Sequence, residues 1–138
     1  MKRKSRAIAL LCSLGLSAGA MAAPPADLID RYTAEARAAA PAFAGFSAKR
    51  GEALHRTRHA GGKPDTPACT SCHGDDARAP GRTRAGKAIE PMAISVSPAR
   101  YADAAKVEKW FKRNCNEVLG RECSALEKGD WLASMMNK

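Results

Sequence analysis

The stretch Cys69-Thr70-Ser71-Cys72-His73 constrains the possible folds of this chain more than any other feature of its sequence. Two thiols three residues apart lie on one helical turn, where each can add to a vinyl group of a haem. The histidine that follows can then supply a nitrogen to the iron. The motif therefore predicts one haem c, with iron, that is attached through Cys69 and Cys72 and ligated by His73.

The N-terminal region indicates export. The chain begins with MKRKSR, which contains four basic residues, and continues with the apolar run AIALLCSLGLSAGAM. The triplet AMA at 20–22 is a small-x-small cleavage pattern, so residues 1–22 are predicted to be a cleaved signal peptide that leaves no stable membrane insertion. The expected location is the periplasm. A lipoprotein anchor at Cys12 is the competing interpretation, which Leu11 before it disfavours.

Two other chemistries fit a C-x-x-C pattern. Cys69 and Cys72 could form half of a zinc site closed by Cys115 and Cys123, or they could be a redox-active dithiol. No βαβ pattern surrounds the motif, which disfavours the dithiol. Exported thiols usually become disulfides or thioethers, which disfavours zinc. If the motif holds haem, Cys115 and Cys123 are left for a disulfide.

The mature chain is short, with about 116 residues, which is enough for one domain. It keeps 19 basic and 14 acidic residues, a net charge of +5. No basic cluster is interleaved with aromatic residues, so nucleic acid is not an expected partner. Aromatic residues make up only 5% of the chain, so a cofactor could fill the core. We predict an all-α protein with a helical extension over 23–45 and a small cytochrome c-like domain over 46–138 around one covalent haem.

Helix signals dominate the mature chain, and strand signals are scarce. Asp27 and Ser47 are predicted N-caps of two helices. A third helix is expected over about 103–118, with Gly120 as its stop. The stretch 124–127, SALE, fits a capping box for the last helix. The predicted apolar side of that helix consists of Trp131, Leu132, Met135 and Met136.

The iron ligand opposite His73 decides the function, and the sequence offers thioether and imidazole candidates. Met92 follows a proline within 74–98, a stretch that looks largely irregular, and many electron-carrying cytochromes c present a thioether in this way. His55 and His59 would give a bis-histidine iron. Solvated positions at the end of the second helix are the preferred explanation of these two histidines.

An amide is the third candidate. Val107, Trp110, Phe111 and Asn114 are spaced as one face of a helix, so the amide of Asn114 ends an otherwise apolar stripe. A buried amide without partners costs on the order of 1–3 kcal/mol. Either a capping or loop hydrogen bond or an iron ion can satisfy it.

The run GKAIEPMAISVSPARYADAAKVEKWFKRNCNEVLGRECSALEKGDWL resembles the sphaeroides haem protein (SHP) family, a group of high-spin bacterial cytochromes c. The resemblance extends from roughly Phe46 to the C-terminus, and KVEKWFKRNC and GRECSALEKGD are its most distinctive parts. It implies that His73 is the proximal ligand and Asn114 the distal one. It also implies a disulfide between Cys115 and Cys123.

Three functions follow from these assignments. An amide ligand suits ferric iron better than ferrous iron. Reduction would therefore release Asn114 and open a site for O2, NO or CO, while Trp110 and Phe111 keep bulk water from the haem pocket. The second function is a low-spin electron shuttle with His73 and Met92 as ligands. The third is an enzyme that turns over O2 or NO.

The resemblance also implies an electron donor, a dihaem cytochrome c. The sequence does not identify the surface that would contact it. Lys87 and Arg100 could instead neutralise the haem propionates. The cations that could face a partner are Lys49, Arg50, Lys87, Arg100 and Lys112.

Overall fold

The computed structural model describes residues 26–138, so the predicted signal peptide lies outside the described residues. The described part is all-α, as predicted, apart from one hairpin of two-residue strands. In that hairpin Gly81 pairs with Ile89 and Arg82 with Ala88. The elements in chain order are α1 Ala26–Ala39, α2 Ala48–Arg56, α3 Thr70–His73, β1 Gly81–Arg82, β2 Ala88–Ile89, a 3-10 turn Pro98–Tyr101, α4 Ala104–Leu119 and α5 Ala125–Met136.

Side-chain caps set most of the helix ends. The side chain of Ser47 accepts a hydrogen bond from the Arg50 amide at the start of α2, and Asp103 caps α4 in the same way. Both bonds of the predicted capping box are present at the start of α5. Gly120 ends α4 in the left-handed region, at φ 70°. The prediction for Asp27 was wrong, because α1 begins at Ala26 and Asp27 lies in its first turn.

Helices α2 and α5 cross in close contact at Gly51. A Cβ on Gly51 would lie 1.9 Å from the carbonyl oxygen of Asp130, so only glycine allows this approach. The Asp130 side chain is buried and accepts from the Ser47 amide at 2.7 Å. It also accepts from Arg50 Nε and Nη2, at 2.7 and 2.8 Å. This ion pair ties the start of α2 to α5.

Helix α1 packs against α5 and reaches α4 through polar contacts. Leu28 and Tyr32 of α1 are among the most deeply buried side chains. The Tyr32 hydroxyl donates to the carboxylate of Glu108 on α4, which also accepts from Arg31 at 2.6 Å and from Lys128 at 2.8 Å. One carboxylate therefore joins α1, α4 and α5.

The core lies between α1, α4, α5 and the segment around Met92. Trp131, Leu132 and Met135 of α5 are buried in it, but Met136 is 40% exposed, so its predicted place on the apolar side was wrong. Met136 is the last residue of α5. No helix within 26–138 is both long enough and apolar enough to cross a membrane.

Candidate haem site

The C-x-x-C-H motif forms the single turn α3, and all three reactive side chains line one pocket. Cys69 precedes the turn, Cys72 lies within it, and His73 ends it. Both thiols are free. Burial raises the pKa of Cys69 to about 11 and lowers the pKa of His73 to about 4. His73 is therefore neutral at physiological pH, which is the form that binds a metal.

The proximal side is supported by His55, which is buried rather than solvated as expected. Its ring centre is 6.3 Å from that of His73. Trp131 Nε1 is only a donor, so its 3.3 Å contact makes His55 Nδ1 the acceptor. His55 Nε2 then carries the proton and donates to the Gly74 carbonyl at 3.2 Å. Burial lowers the pKa of His55 and keeps it neutral.

Like His55, His59 does not line the pocket. Its side chain is half-buried and its Nε2 lies 3.3 Å from the Leu54 carbonyl oxygen. The expectation that these histidines are solvated was therefore wrong for His55, whereas His59 is partly exposed. Neither histidine lies in the pocket that holds His73, so the geometry does not support a bis-histidine iron.

The pocket is lined mainly by apolar side chains and measures about 950 Å³ when its solvent-open part is included. The predicted stripe of α4 forms one wall, since Val107, Trp110, Phe111 and Asn114 all line it. Phe111 also packs edge-on against Trp131, with ring centres 5.5 Å apart. The stripe thus faces the pocket, and its amide lies within it.

The carboxamide of Asn114 makes no hydrogen bond to any residue in 26–138, although the carboxamides of Asn116 on the same helix and of Asn137 just after α5 do. Asn116, two residues further on, donates from Nδ2 to the Lys112 carbonyl at 2.7 Å. Asn137 donates to the Ala133 carbonyl at 3.0 Å. The capping or loop hydrogen bond that offered a simpler account of Asn114 is absent from the described part of the chain.

The segment after Asn114 is held by a disulfide. Cys115 is bonded to Cys123, with the Cα atoms 5.6 Å apart. The bridge connects α4 to the loop before α5 and lies in the pocket wall. Because these two thiols are consumed, they cannot close a zinc site with Cys69 and Cys72. Residues 26–138 contain no other cluster of three or more potential metal-ligating side chains.

Met92 lines the same pocket, so the structure brings both distal candidates to one cavity. Its backbone is fixed: the amide donates to the Ala77 carbonyl at 2.8 Å, and its carbonyl accepts from the Tyr101 hydroxyl at 2.5 Å. Tyr101 lines the pocket too. Tyr101 was not predicted as a site residue, and His55 was considered only as an iron ligand; their contacts in the fold show the roles described here.

The two predicted propionate contacts differ in their placement. Arg100 lines the pocket, and its side chain is 21% exposed. Its guanidinium also lies 3.9 Å from the Glu90 carboxylate. Lys87 is an exposed residue of the hairpin and does not line the pocket. The geometry therefore supports a propionate contact for Arg100 and gives none for Lys87.

These features fit a covalent haem. The two free thiols and a neutral histidine face an apolar pocket from one turn, and the buried Nδ1 of His73 has no protein partner among the described residues. The haem would be held by Cys69, Cys72 and His73, and it would supply redox and ligand-binding chemistry at its iron.

Comparisons with known proteins agree with this description. A family model described as "Domain of unknown function (DUF1924)" matches residues 41–135. The cytochrome c-type protein SHP of Cereibacter sphaeroides is 54% identical over 109 residues, which are 79% of this chain and 80% of that protein. Cytochrome c'' of Methylophilus methylotrophus is 31% identical over 112 residues, which are 80% and 78% of the two chains.

Solved structures show the same fold. The structure of oxidised SHP, described as an oxygen-binding cytochrome c, matches with a TM-score of 0.75 and 49% identity over 83% of this chain and 96% of that one. The solution structure of Methylophilus methylotrophus cytochrome c'', which addresses haem-ligand detachment, matches with a TM-score of 0.71 and 30% identity over 83% and 93% of the chains.

Fold and site together define a monohaem c-type cytochrome, in which haem c with its iron is attached covalently to a small all-α domain. Its relatives narrow that class further. The chain belongs to the SHP family, whose sequence similarity covers most of its length.

Proposed function

We propose that this cytochrome is an electron-transfer protein in which Asn114 is a releasable distal ligand. Asn114, through its carboxamide oxygen, and His73 would both hold the ferric iron of the haem. Reduction would weaken the bond to Asn114, because ferrous iron is a softer acid and an amide oxygen is a hard, neutral donor. Asn114 would then move away and leave a position at which a ferrous, high-spin haem would bind O2, NO or CO.

The free carboxamide of Asn114 carries this proposal. It lies in the pocket without a hydrogen bond to residues 26–138, whereas Asn116 folds back onto the backbone of the same helix. Its neighbour Cys115 is fixed by the disulfide, so the helix end that carries Asn114 is restrained. A restrained backbone keeps a detached side chain close to its binding position and favours its return on oxidation.

The relatives provide separate support. SHP is described as an oxygen-binding cytochrome c, and cytochrome c'' as a protein whose haem ligand detaches. Both have the fold of this chain, and SHP is identical to it at 54% of the 109 aligned residues. A haem that binds a diatomic gas needs a free or releasable position, which Asn114 would provide.

The competing function is a low-spin electron shuttle in which Met92 is the distal ligand. The contacts of Met92 favour another role for its side chain, because it belongs to the buried core cluster with Tyr101, Leu132 and Met135. Met92 is only 5% exposed. Packing explains the burial of Met92, whereas Asn114 is half-buried and lies outside that core cluster.

Optical spectroscopy of two matched variants tests the assignment. Asn114→Ala should change the ferric spectrum and speed CO binding after reduction. Asn116→Ala removes an amide from the exposed side of the same helix and should change neither. If Asn114→Ala keeps the ferric spectrum of the parent protein, and if the reduced parent does not bind CO, Met92 is the ligand and the proposal fails.

The cellular setting is also part of the proposal. We place the mature protein in the periplasm, with residues 1–22 removed as a signal peptide and with a dihaem cytochrome c as its electron donor. Mass spectrometry of the exported holoprotein tests the cleavage, since the N-terminus should be Ala23. Turnover of O2 or NO would be a further activity, and steady-state consumption of gas with a reductant would detect it.

A further inference from the structure

Helix α4 carries a cationic surface directly beside the haem pocket. A shallow groove on its outer side is lined by Lys63, Lys109, Lys112, Arg113, Asn116 and Glu117. Four of these six side chains are positively charged. We call this group of residues the α4 cationic surface.

Two residues join this surface to the pocket. Glu117 lines both the groove and the haem pocket. Arg113, which lines the groove, places its guanidinium carbon 5.4 Å from the ring centre of Trp110, and Trp110 lines the pocket. The cationic groove is therefore continuous with the wall that also carries Asn114.

Part of the positive charge is not neutralised within the described part of the chain. Lys63 lies 3.5 Å from the Glu117 carboxylate, and Lys112 lies 3.4 Å from that of Glu122. Lys109 and Arg113 are exposed and form no ion pair with residues 26–138. Other cations are already engaged, as Arg50 is in its contacts with Asp130.

We propose that the α4 cationic surface is where an acidic electron-transfer protein docks. This inference rests on the proposed electron-transfer function and adds the location and the charge of the partner. A redox partner has to approach the edge of the haem, and complementary charge beside that edge speeds encounter and orients the two proteins. Lys112 is the only one of the five candidate cations from the sequence that lies on this surface.

Reduction by flavodoxin, a small acidic protein with a flavin, measures this docking. In the transfer the flavin hydroquinone loses one electron and a ferric haem gains it. The test variant is Lys109→Glu/Arg113→Glu. The matched control is Arg37→Glu/Lys49→Glu, which makes the same change in net charge at exposed positions of α1 and α2.

At an ionic strength of about 10 mM the second-order rate constant should fall about tenfold or more in the test variant, and by less than about threefold in the control. The difference should shrink as salt is added. Reduction by a neutral quinol should be unchanged in both variants, which shows that the haem remains accessible. Equal slowing of the two variants, or no slowing, would overturn the proposal.

Vesicles that contain an anionic phospholipid provide the remaining comparison. If the test variant loses vesicle binding but keeps its rate with flavodoxin, the surface contacts lipid and the proposal is wrong. CO binding by the reduced variants is recorded in parallel. An unchanged flavodoxin rate with normal CO binding is a failure of this inference alone. A slowed flavodoxin rate in a protein whose reduced form does not bind CO is a failure of the Asn114 assignment alone.

Discussion

Trp131 Nε1 donates a hydrogen bond to His55 Nδ1 across the contact between α5 and α2, at 3.3 Å. Trp131 lines the haem pocket, and His55 holds the backbone that follows His73 through the Gly74 carbonyl. This polar pair connects the crossing of α2 and α5 to the turn that carries His73, the predicted iron ligand. It also fixes the tautomer of His55, because an indole N–H can only donate.

Loss of the His55–Trp131 hydrogen bond should therefore lower the stability of the protein, and substitutions of the two residues should have less than additive effects. His55→Phe keeps an aromatic ring but leaves the buried Trp131 N–H and the Gly74 carbonyl without their partner, which should lower the free energy of unfolding by about 1–3 kcal/mol. Trp131→Phe removes the donor. In a double-mutant cycle followed by urea unfolding, the two losses should be less than additive by about 0.5–1.5 kcal/mol. Strict additivity would show that the bond contributes nothing.

Tyr32→Phe should weaken the attachment of α1 to α4. Tyr32 is fully buried, and its hydroxyl donates a hydrogen bond to Glu108. Burial and this hydrogen bond both raise the pKa of Tyr32. Loss of a hydrogen bond to a charged group should cost about 1.5–3 kcal/mol in thermal or urea unfolding. Arg31→Gln removes a more exposed partner of the same carboxylate and should cost at most about 1 kcal/mol. The reverse order of these two losses would contradict the assignment.

Gly51→Ala should destabilise the protein although alanine favours helices. Intrinsic propensity alone would stabilise α2 by about 0.5–1 kcal/mol. The added Cβ would lie 1.9 Å from the Asp130 carbonyl oxygen, so the helices must separate, at a cost of about 1–3 kcal/mol. The melting temperature of the holoprotein measures the net effect. Ala53→Gly, at an exposed position of α2, reports propensity alone, and a stabilised Gly51→Ala variant would refute the close crossing.

Glu127 should contribute to acid sensitivity. Its ion pair with Arg121 is the main cause that lowers the pKa of Glu127 to about 2, against the opposing effect of burial. Because the folded-state pKa lies below its usual value near 4.5, this contribution is complete above about pH 4.5 and is lost as the pH falls towards 2. Glu127→Gln keeps the capping geometry. The variant should flatten the decline of unfolding free energy in that window, whereas Glu35→Gln on α1 should leave it steep.

Short-range patterns accounted for most of the helices. Ser47, Asp103 and the Ser124–Glu127 box cap helices where the sequence placed them, since a cap depends on a side chain and an amide two or three residues away. Asp27 was assigned as an N-cap but lies within the first turn of α1.

The haem attachment motif and the amphipathic stripe of α4 were likewise predicted from the spacing of residues along the chain. Two thiols three residues apart lie on one side when their segment forms a helical turn, and residues at i, i+3, i+4 and i+7 share a helix face. The sequence could show that Asn114 shares a face with Val107, Trp110 and Phe111. Only the fold shows that this face lines the pocket of His73 and that Asn114 lacks the backbone bond of Asn116.

The sequence by itself determined the attachment chemistry, the helical class and the family resemblance, because each depends on residues that are close together in the chain. The tertiary structure decided which polar groups are buried and what they contact. His55 meets Trp131 across 76 residues, and Tyr32 meets Glu108 across the same separation. Local spacing contains no information on such contacts, since they arise only when α2 crosses α5 and α1 packs beside α4.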